Sequence, residues 1–286
     1  MEPTVACAFD PDSGDRGAVE LARVVATLLG GRVLNIVVRP GGSAAERLSR
    51  LEPARDTEPE DGAPRFARAD RREVTAPSPA AGLHRVLGQE RPAVLVAGSP
   101  MRAAHGCVGL GSTTERLLDG APCPVAIAPR GWSERPLGAI AVAMLPSPEG
   151  RAALDLAAEF AHAAAVPLRL VMVLRDSPDA NEAAELAREL AGVSGGDPGE
   201  DPPGAAAVLG PALTSAAHDR APRVEADADV YVGDPTDTLV RASSHAGLLV
   251  LGSRAYGHGA EVHAGGVARS VLSSAHCPVI LVPRGT

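Results

Sequence analysis

Short apolar runs alternate with segments of helical spacing along the chain. Thr4-Val5-Ala6-Cys7-Ala8-Phe9 is a strand-like run that ends at Asp10-Pro11-Asp12-Ser13. It leads into Ala18-Val19-Glu20-Leu21-Ala22, where apolar residues recur at helical intervals. Arg32-Val33-Leu34-Asn35-Ile36-Val37-Val38 follows as a near-continuous apolar run, the signature of a parallel strand covered on both faces. A second series starts at Ile140-Ala141-Val142-Ala143-Met144-Leu145 and ends at Pro146-Ser147-Pro148-Glu149. Ser147 ahead of Pro148 predicts an N-cap with proline in the first helical position. Leu168–Leu174 then repeats the buried-strand pattern.

The two series are copies. Leu95-Val96-Ala97-Gly98-Ser99 recurs as Leu249-Val250-Leu251-Gly252-Ser253, and Ala121-Pro122-Cys123-Pro124-Val125 as Ala275-His276-Cys277-Pro278-Val279. One offset of 154 residues carries Gly98 to Gly252, Gly111 to Gly265 and Cys123 to Cys277. A constant offset means that the loop, helix and strand between these points are equally long in both copies. Each copy reads β-α-β, then a loop with a helix, then β-α-β-α-β. Right-handed crossovers turn that order into a doubly wound parallel five-stranded sheet, an α/β fold of Rossmann-like type. Gly131-Trp132-Ser133-Glu134-Arg135-Pro136 is the short linker, so the domains are expected at 1–132 and 133–286. Residues 41–65 and 192–223, rich in Pro, Gly, Ala and acidic side chains, read as mobile excursions after the second strand of each copy, with a helix at 181–191.

Composition narrows the chemistry. Aromatic residues are only 2% of the 286, so the core must be built from Ala, Val, Leu and Ile. All 27 basic residues are arginine, which removes a Walker lysine, a Schiff-base lysine and a lysine general base. The net charge of −8 disfavours general binding of nucleic acid. No apolar run reaches membrane-spanning length and no secretory signal is visible at the N-terminus, so a cytoplasmic protein without a membrane partner is expected. Four widely spaced cysteines fit reduced thiols.

The segment from Gly98 to Gly131 resembles the universal stress protein family. Its nucleotide-binding members carry Gly-x2-Gly-x9-Gly-Ser/Thr before a helix and a Cys-Pro-Val strand. The resemblance covers both halves. It implies an adenine nucleotide alpha hydrolase-like fold, frequent dimers, binding of ATP with magnesium in some members, and a regulatory role in stress. On that pattern the first copy offers Asp10, Val37, Gly98, Met101, Gly111, Ser112 and Thr113 as nucleotide-binding positions. A glycine after the fourth strand lets backbone approach phosphate, and Gly111-Ser112 opens a helix onto it. Asp10 either accepts from ribose or adenine, or caps the following helix. Met101 stands at the second glycine position, and Ser112-x-x-Glu115 reads as a capping box. The second copy is degenerate at Leu145, Val173, Gly252, Ala255, Gly265 and Gly266: Leu145 replaces the Asp, Ala255 the second glycine and Gly266 the Ser/Thr.

Other constellations are weak. Cys123 and Cys277 read as small buried hydrophobes, with no Cys-x-x-Cys to support redox chemistry. His258, Glu261 and His263 lie in a Gly-rich stretch without metal-ligand spacing on a defined element. No Ser/His/Asp set or carboxylate pair assembles at motif spacing, so an enzyme is disfavoured. Two functions lead, ahead of an enzyme such as a slow ATPase: a regulator that binds ATP in its first domain, and a nucleotide-free interaction protein whose sites are relics. In either case the matched last strands, Val125–Ala128 and Val279–Val282, are expected to pair within the chain about a pseudo-twofold axis, with a homodimer as a further assembly.

Overall fold

A computed structural model describes residues 2–11, 13–41, 70–191, 205–253 and 261–284. In the first half β1 (Thr4–Ala8), α1 (Gly17–Leu28), β2 (Arg32–Pro40), β3 (Arg71–Ala76), α2 (Pro79–Glu90), β4 (Val94–Gly98), α3 (Ser112–Leu117), β5 (Asp119–Ala121) and β6 (Val125–Ala128) follow in order. The second half runs β7 (Ile140–Ala143), α4 (Pro148–Ala164), β8 (Leu168–Leu174), α5 (Ala180–Ala191), α6 (Ala205–Arg220), β9 (Ala226–Val232), α7 (Pro235–Ser243), β10 (Leu248–Gly252), β11 (Val262–His263), α8 (Gly266–Leu272) and β12 (Val279–Val282).

The main strands form one ten-stranded sheet in the order β3-β2-β1-β4-β6-β12-β10-β7-β8-β9. Each half contributes five parallel strands, and the second half mirrors the first. Alternate strand residues feed opposite faces. Val5, Cys7, Ala126 and Ile280 pack on one side with Leu21 and Val25 of α1, Phe160 of α4 and Leu213 of α6. Ala6, Val125 and Leu281 pack on the other with Leu87 of α2, Leu117 of α3, Leu239 of α7 and Val271 of α8. The expected proline-led helix start is present, with Ser147 Oγ accepting from Gly150 N at 3.0 Å ahead of Pro148, and Ser78, not anticipated from the sequence, does the same for Ala81 at 3.3 Å ahead of Pro79.

The expected mobile stretch at 192–223 is corrected in part, because residues 205–220 are the helix α6. Pro211 and the Ala-rich composition hid its pattern. Leu209, Leu213, Ala216 and Ala217 recur on one helical face and are buried over the sheet. The helix expected at 181–191 is α5. Residues 42–65 and 192–204 of the two excursions lie outside the described residues.

The halves meet through their last strands. Antiparallel β6 and β12 pair Ile127 with Val279, Ala126 with Ile280, and Val125 with Leu281. Under the 154-residue repeat this register maps onto itself, with Ala126 and Ile280 at its centre. A second, two-stranded sheet pairs β5 with β11. The linker is strapped to α1: Gly131 N donates to Asp15 Oδ2 at 3.0 Å, and Glu134 N to Glu20 Oε2 at 2.8 Å. Trp132 lies buried between them.

Two outcomes follow from this packing. Ile280 is fully buried at the centre of the seam. Ile280→Ala should therefore cost about 2–5 kcal/mol in urea unfolding, as for other large-to-small core changes. Burial also pushes the thiols of Cys7, Cys123 and Cys277 up from 9.0 to about 12. The folded chain thus holds these protons more tightly than the unfolded one. The associated stability is present below pH 9 and is lost as pH rises toward about 12. The urea midpoint, followed by circular dichroism, should fall across that window, and replacing all three by Ala or Val should flatten the fall.

Candidate functional site

In the first half the candidate site lies at the carboxyl ends of β1 and β4, neighbours at which the strand order reverses. Parallel sheets collect ligands there because two crossover helices leave in opposite directions and open a crevice. Asp10 stands exposed two residues beyond β1, and its carbonyl accepts from Ser13 N at 3.3 Å and Ser13 Oγ at 2.9 Å. It is not the cap of α1. That helix begins at Gly17, and Asp15 Oδ1 accepts from Gly17 N at 2.8 Å.

Gly98 ends β4, and a Cβ there would fit in ordinary contact with Ala18 Cβ at 3.6 Å. The next residue carries weight that the sequence reading missed. Ser99 Oγ donates to Ala128 O at 2.7 Å and accepts from Gly109 N at 3.0 Å, tying the loop to the end of β6. Its recurrence as Ser253 was the available signal. The rest of the loop is also held. Arg102 donates to Leu110 O at 2.8 Å, and Arg130 Nη1 to Ala103 O at 2.9 Å. Gly106 N donates to Arg130 O at 2.9 Å, and Arg130 N to Cys107 O at 3.0 Å. Met101 is 57% exposed.

Gly111, extended at φ −98° and ψ 162°, is the N-cap of α3, and no side chain caps it. The expected capping box is therefore corrected. Ser112 is already the first helical residue, one position too late to cap, and its side chain is exposed beside the half-buried Thr113. The ring of Pro100 packs over Gly111, 3.6–3.9 Å from where a Cβ would stand. Val37 is buried in β2.

The second half repeats this frame with different contents. Met144 N bonds Val171 O at 2.8 Å as Phe9 N bonds Ile36 O at 2.9 Å, which sets Leu145 in the place of Asp10. The same register matches Val37 to Met172, with Val173 one residue beyond; both are buried. Leu145 is 54% exposed, an apolar side chain where the first half has a carboxylate. Gly252 faces no open space: a Cβ there would lie 2.8 Å from the carbonyl of Glu149 at the start of α4. Gly265 caps α8 and Gly266 is exposed in its first position. Ser253 Oγ is buried without a partner. Ala255 lies outside the described residues.

Among the described residues no three His, Cys, Asp or Glu side chains gather as a metal site. His263 and Glu261 stand 3.9 Å apart, and His258 lies outside the described residues. No described helix is long and apolar enough to cross a membrane.

Each glycine loop is seated on the opposite half. Val108 N donates to Ala275 O at 2.8 Å, while 154 residues later Val262 pairs with Ala121. Across the same seam Arg269 bridges Asp119 at 2.7 Å.

A search of curated proteins finds no match. Solved structures share the fold over nearly the whole chain. A functionally unknown protein from Pseudomonas aeruginosa PAO1 is 16% identical, covering 99% of this chain and 94% of its own, with a TM-score of 0.64. A putative universal stress protein from Pseudomonas aeruginosa UCBPP-PA14 is 17% identical over 99% and 93%, with a TM-score of 0.64. A universal stress protein from Archaeoglobus fulgidus DSM 4304 is 16% identical over 99% and 97%, with a TM-score of 0.62. The family model described as the universal stress protein family matches twice, at residues 2–129 and 137–283. With a family match in each half and one mirrored sheet joining them, the chain belongs to the universal stress protein family as a tandem of two such units.

Proposed function

We propose that the first half binds ATP or a related adenine nucleotide and that the second half is a relic site, so that the protein acts as a nucleotide-responsive regulator. The observation that carries this reading is the contrast between the two equivalent glycines. A Cβ at Gly98 would make only an ordinary contact, 3.6 Å from Ala18 Cβ, whereas one at Gly252 would clash with the backbone of Glu149 at 2.8 Å. The side of Gly252 that backbone of the α4 start occupies is less crowded at Gly98, which favours close approach of a phosphate in the first half. Asp10 adds an exposed carboxylate for ribose or base, and Ser112 and Thr113 add hydroxyls beside the glycine loop. Magnesium would arrive on the phosphates of the nucleotide itself. The sequence holds no lysine for phosphoryl transfer, which favours binding over catalysis.

A second reading, a nucleotide-free interaction protein, draws support from the loop itself. The Ser99, Arg102 and Arg130 bonds and the Pro100 ring over Gly111 hold it without any ligand. Titration calorimetry separates the two. ATP should give one site per chain, and Gly98→Val should weaken it by about tenfold or more by placing γ-carbons where phosphate approaches. Gly252→Ala should leave binding intact but cost about 1–3 kcal/mol of stability, as an overpacked position does. Two equal sites, or no heat with wild type, would reject the first reading.

The division at 132/133, the pseudo-twofold axis and a homodimer of whole chains belong to the same proposal. The self-mapping register of β6 and β12 supports the axis. Residues 1–132 alone leave β6 as an open edge with fully buried side chains turned into surface. That fragment should dimerise or aggregate in light scattering, while the full chain should not require a second copy to cover this strand.

A further inference from the structure

Three of the four cysteines are buried; Cys107 is partly exposed. Its Sγ lies 3.5 Å from Nδ1 of His276, within reach of an S–H···N bond. The partners come from opposite halves, 169 residues apart in sequence. Backbone bonds fix both. Cys107 N donates to Ala104 O at 3.1 Å, and Cys107 O accepts from Arg130 N at 3.0 Å. The residues that follow Cys107 and precede His276 are joined directly, Val108 N to Ala275 O at 2.8 Å. His276 N donates to Ser243 Oγ at 3.0 Å, and Ser243 Oγ in turn to Val240 O at 2.6 Å. The backbones that carry the sulfur and the exposed imidazole are thus held side by side across the seam.

The repeat shows that seam packing does not require this pair. The residues one repeat away are Glu261 for Cys107 and Pro122 for His276. Only one of the two equivalent corners therefore carries a nucleophile next to a base. A positioned imidazole takes the thiol proton, and the thiolate is the reactive form of cysteine.

We propose that Cys107 and His276 form a thiol–imidazole pair that reacts with hydroperoxides, making Cys107 an oxidation site at the junction of the two halves. His276 Nδ1 takes the proton from Sγ, and the thiolate attacks one peroxide oxygen. A sulfur–oxygen bond forms as the oxygen–oxygen bond breaks. The leaving hydroxide, or alkoxide, takes the proton back from the imidazolium and departs as water or alcohol. Sulfur loses two electrons and becomes a sulfenic acid, while the peroxide gains them. The site stands whether or not the glycine loop holds a nucleotide.

The test uses the reduced full-length chain, hydrogen peroxide, and dimedone to trap the sulfenic acid, with peptide mass mapping at timed intervals. A single early adduct at Cys107 is expected, with Cys7, Cys123 and Cys277 unlabelled. Labelling should be faster in the folded chain than in the same chain unfolded in urea. His276→Ala and His276→Gln should each slow it at least about tenfold, below the usual contribution of a positioned general base. Equal rates in folded and unfolded wild type, or a rate untouched by either His276 variant that folds, would overturn the proposal. The wild-type comparison decides it even if both variants fail to fold.

Discussion

The antiparallel contact between β6 and β12 is the constraint on which the rest depends. A lone five-stranded half would end in a strand with one row of unpaired backbone groups and an all-buried side-chain pattern. Pairing the two copies removes both rows at once and extends the two core layers without a break. Because the strands run in opposite directions, the carboxyl ends of the first half's strands point one way and those of the second half point the other. The two candidate sites therefore sit on opposite margins of one sheet.

This geometry sets the glycine loops in an unusual relation to the seam. The loop after β4 rests on the turn before β12, and the matching segment before α8 rests on β5. Whatever changes a loop acts on backbone bonds that belong to the other half. The linker adds a further tie, because Asp15 joins the first turn of α1 to Gly131 with one carboxylate. Site, linker and seam form one hydrogen-bonded unit, although no single stretch of sequence contains it.

Much of the fold was legible because it is written in periodicity and repetition. The repeat in Gly98, Gly111 and Cys123 marks both halves of the sheet, and Ser147-Pro148 marks a helix start. What failed was legible only in three dimensions. In α6, Pro211 and many alanines dilute a face made by Leu209, Leu213, Ala216 and Ala217, so its helical pattern is weak in the sequence. Ser112 matched a capping pattern, but the cap is set by where backbone becomes extended, and that is Gly111. Gly98 and Gly252 are identical letters; only the approach of Glu149 distinguishes them. The pairing of Cys107 with His276 spans both halves and has no signal in local spacing.

The self-mapping register at Ala126 and Ile280 has a consequence for inheritance. In a dimer of identical chains, every substitution near the twofold appears twice, so a change that suits one side is imposed on the other. Here a single gene encodes both sides of the axis, and each position mutates alone. A cysteine can be placed against a histidine at one corner while its mirror keeps a glutamate and a proline. Covalent fusion converts a symmetric architecture into one whose two ends are free to specialise.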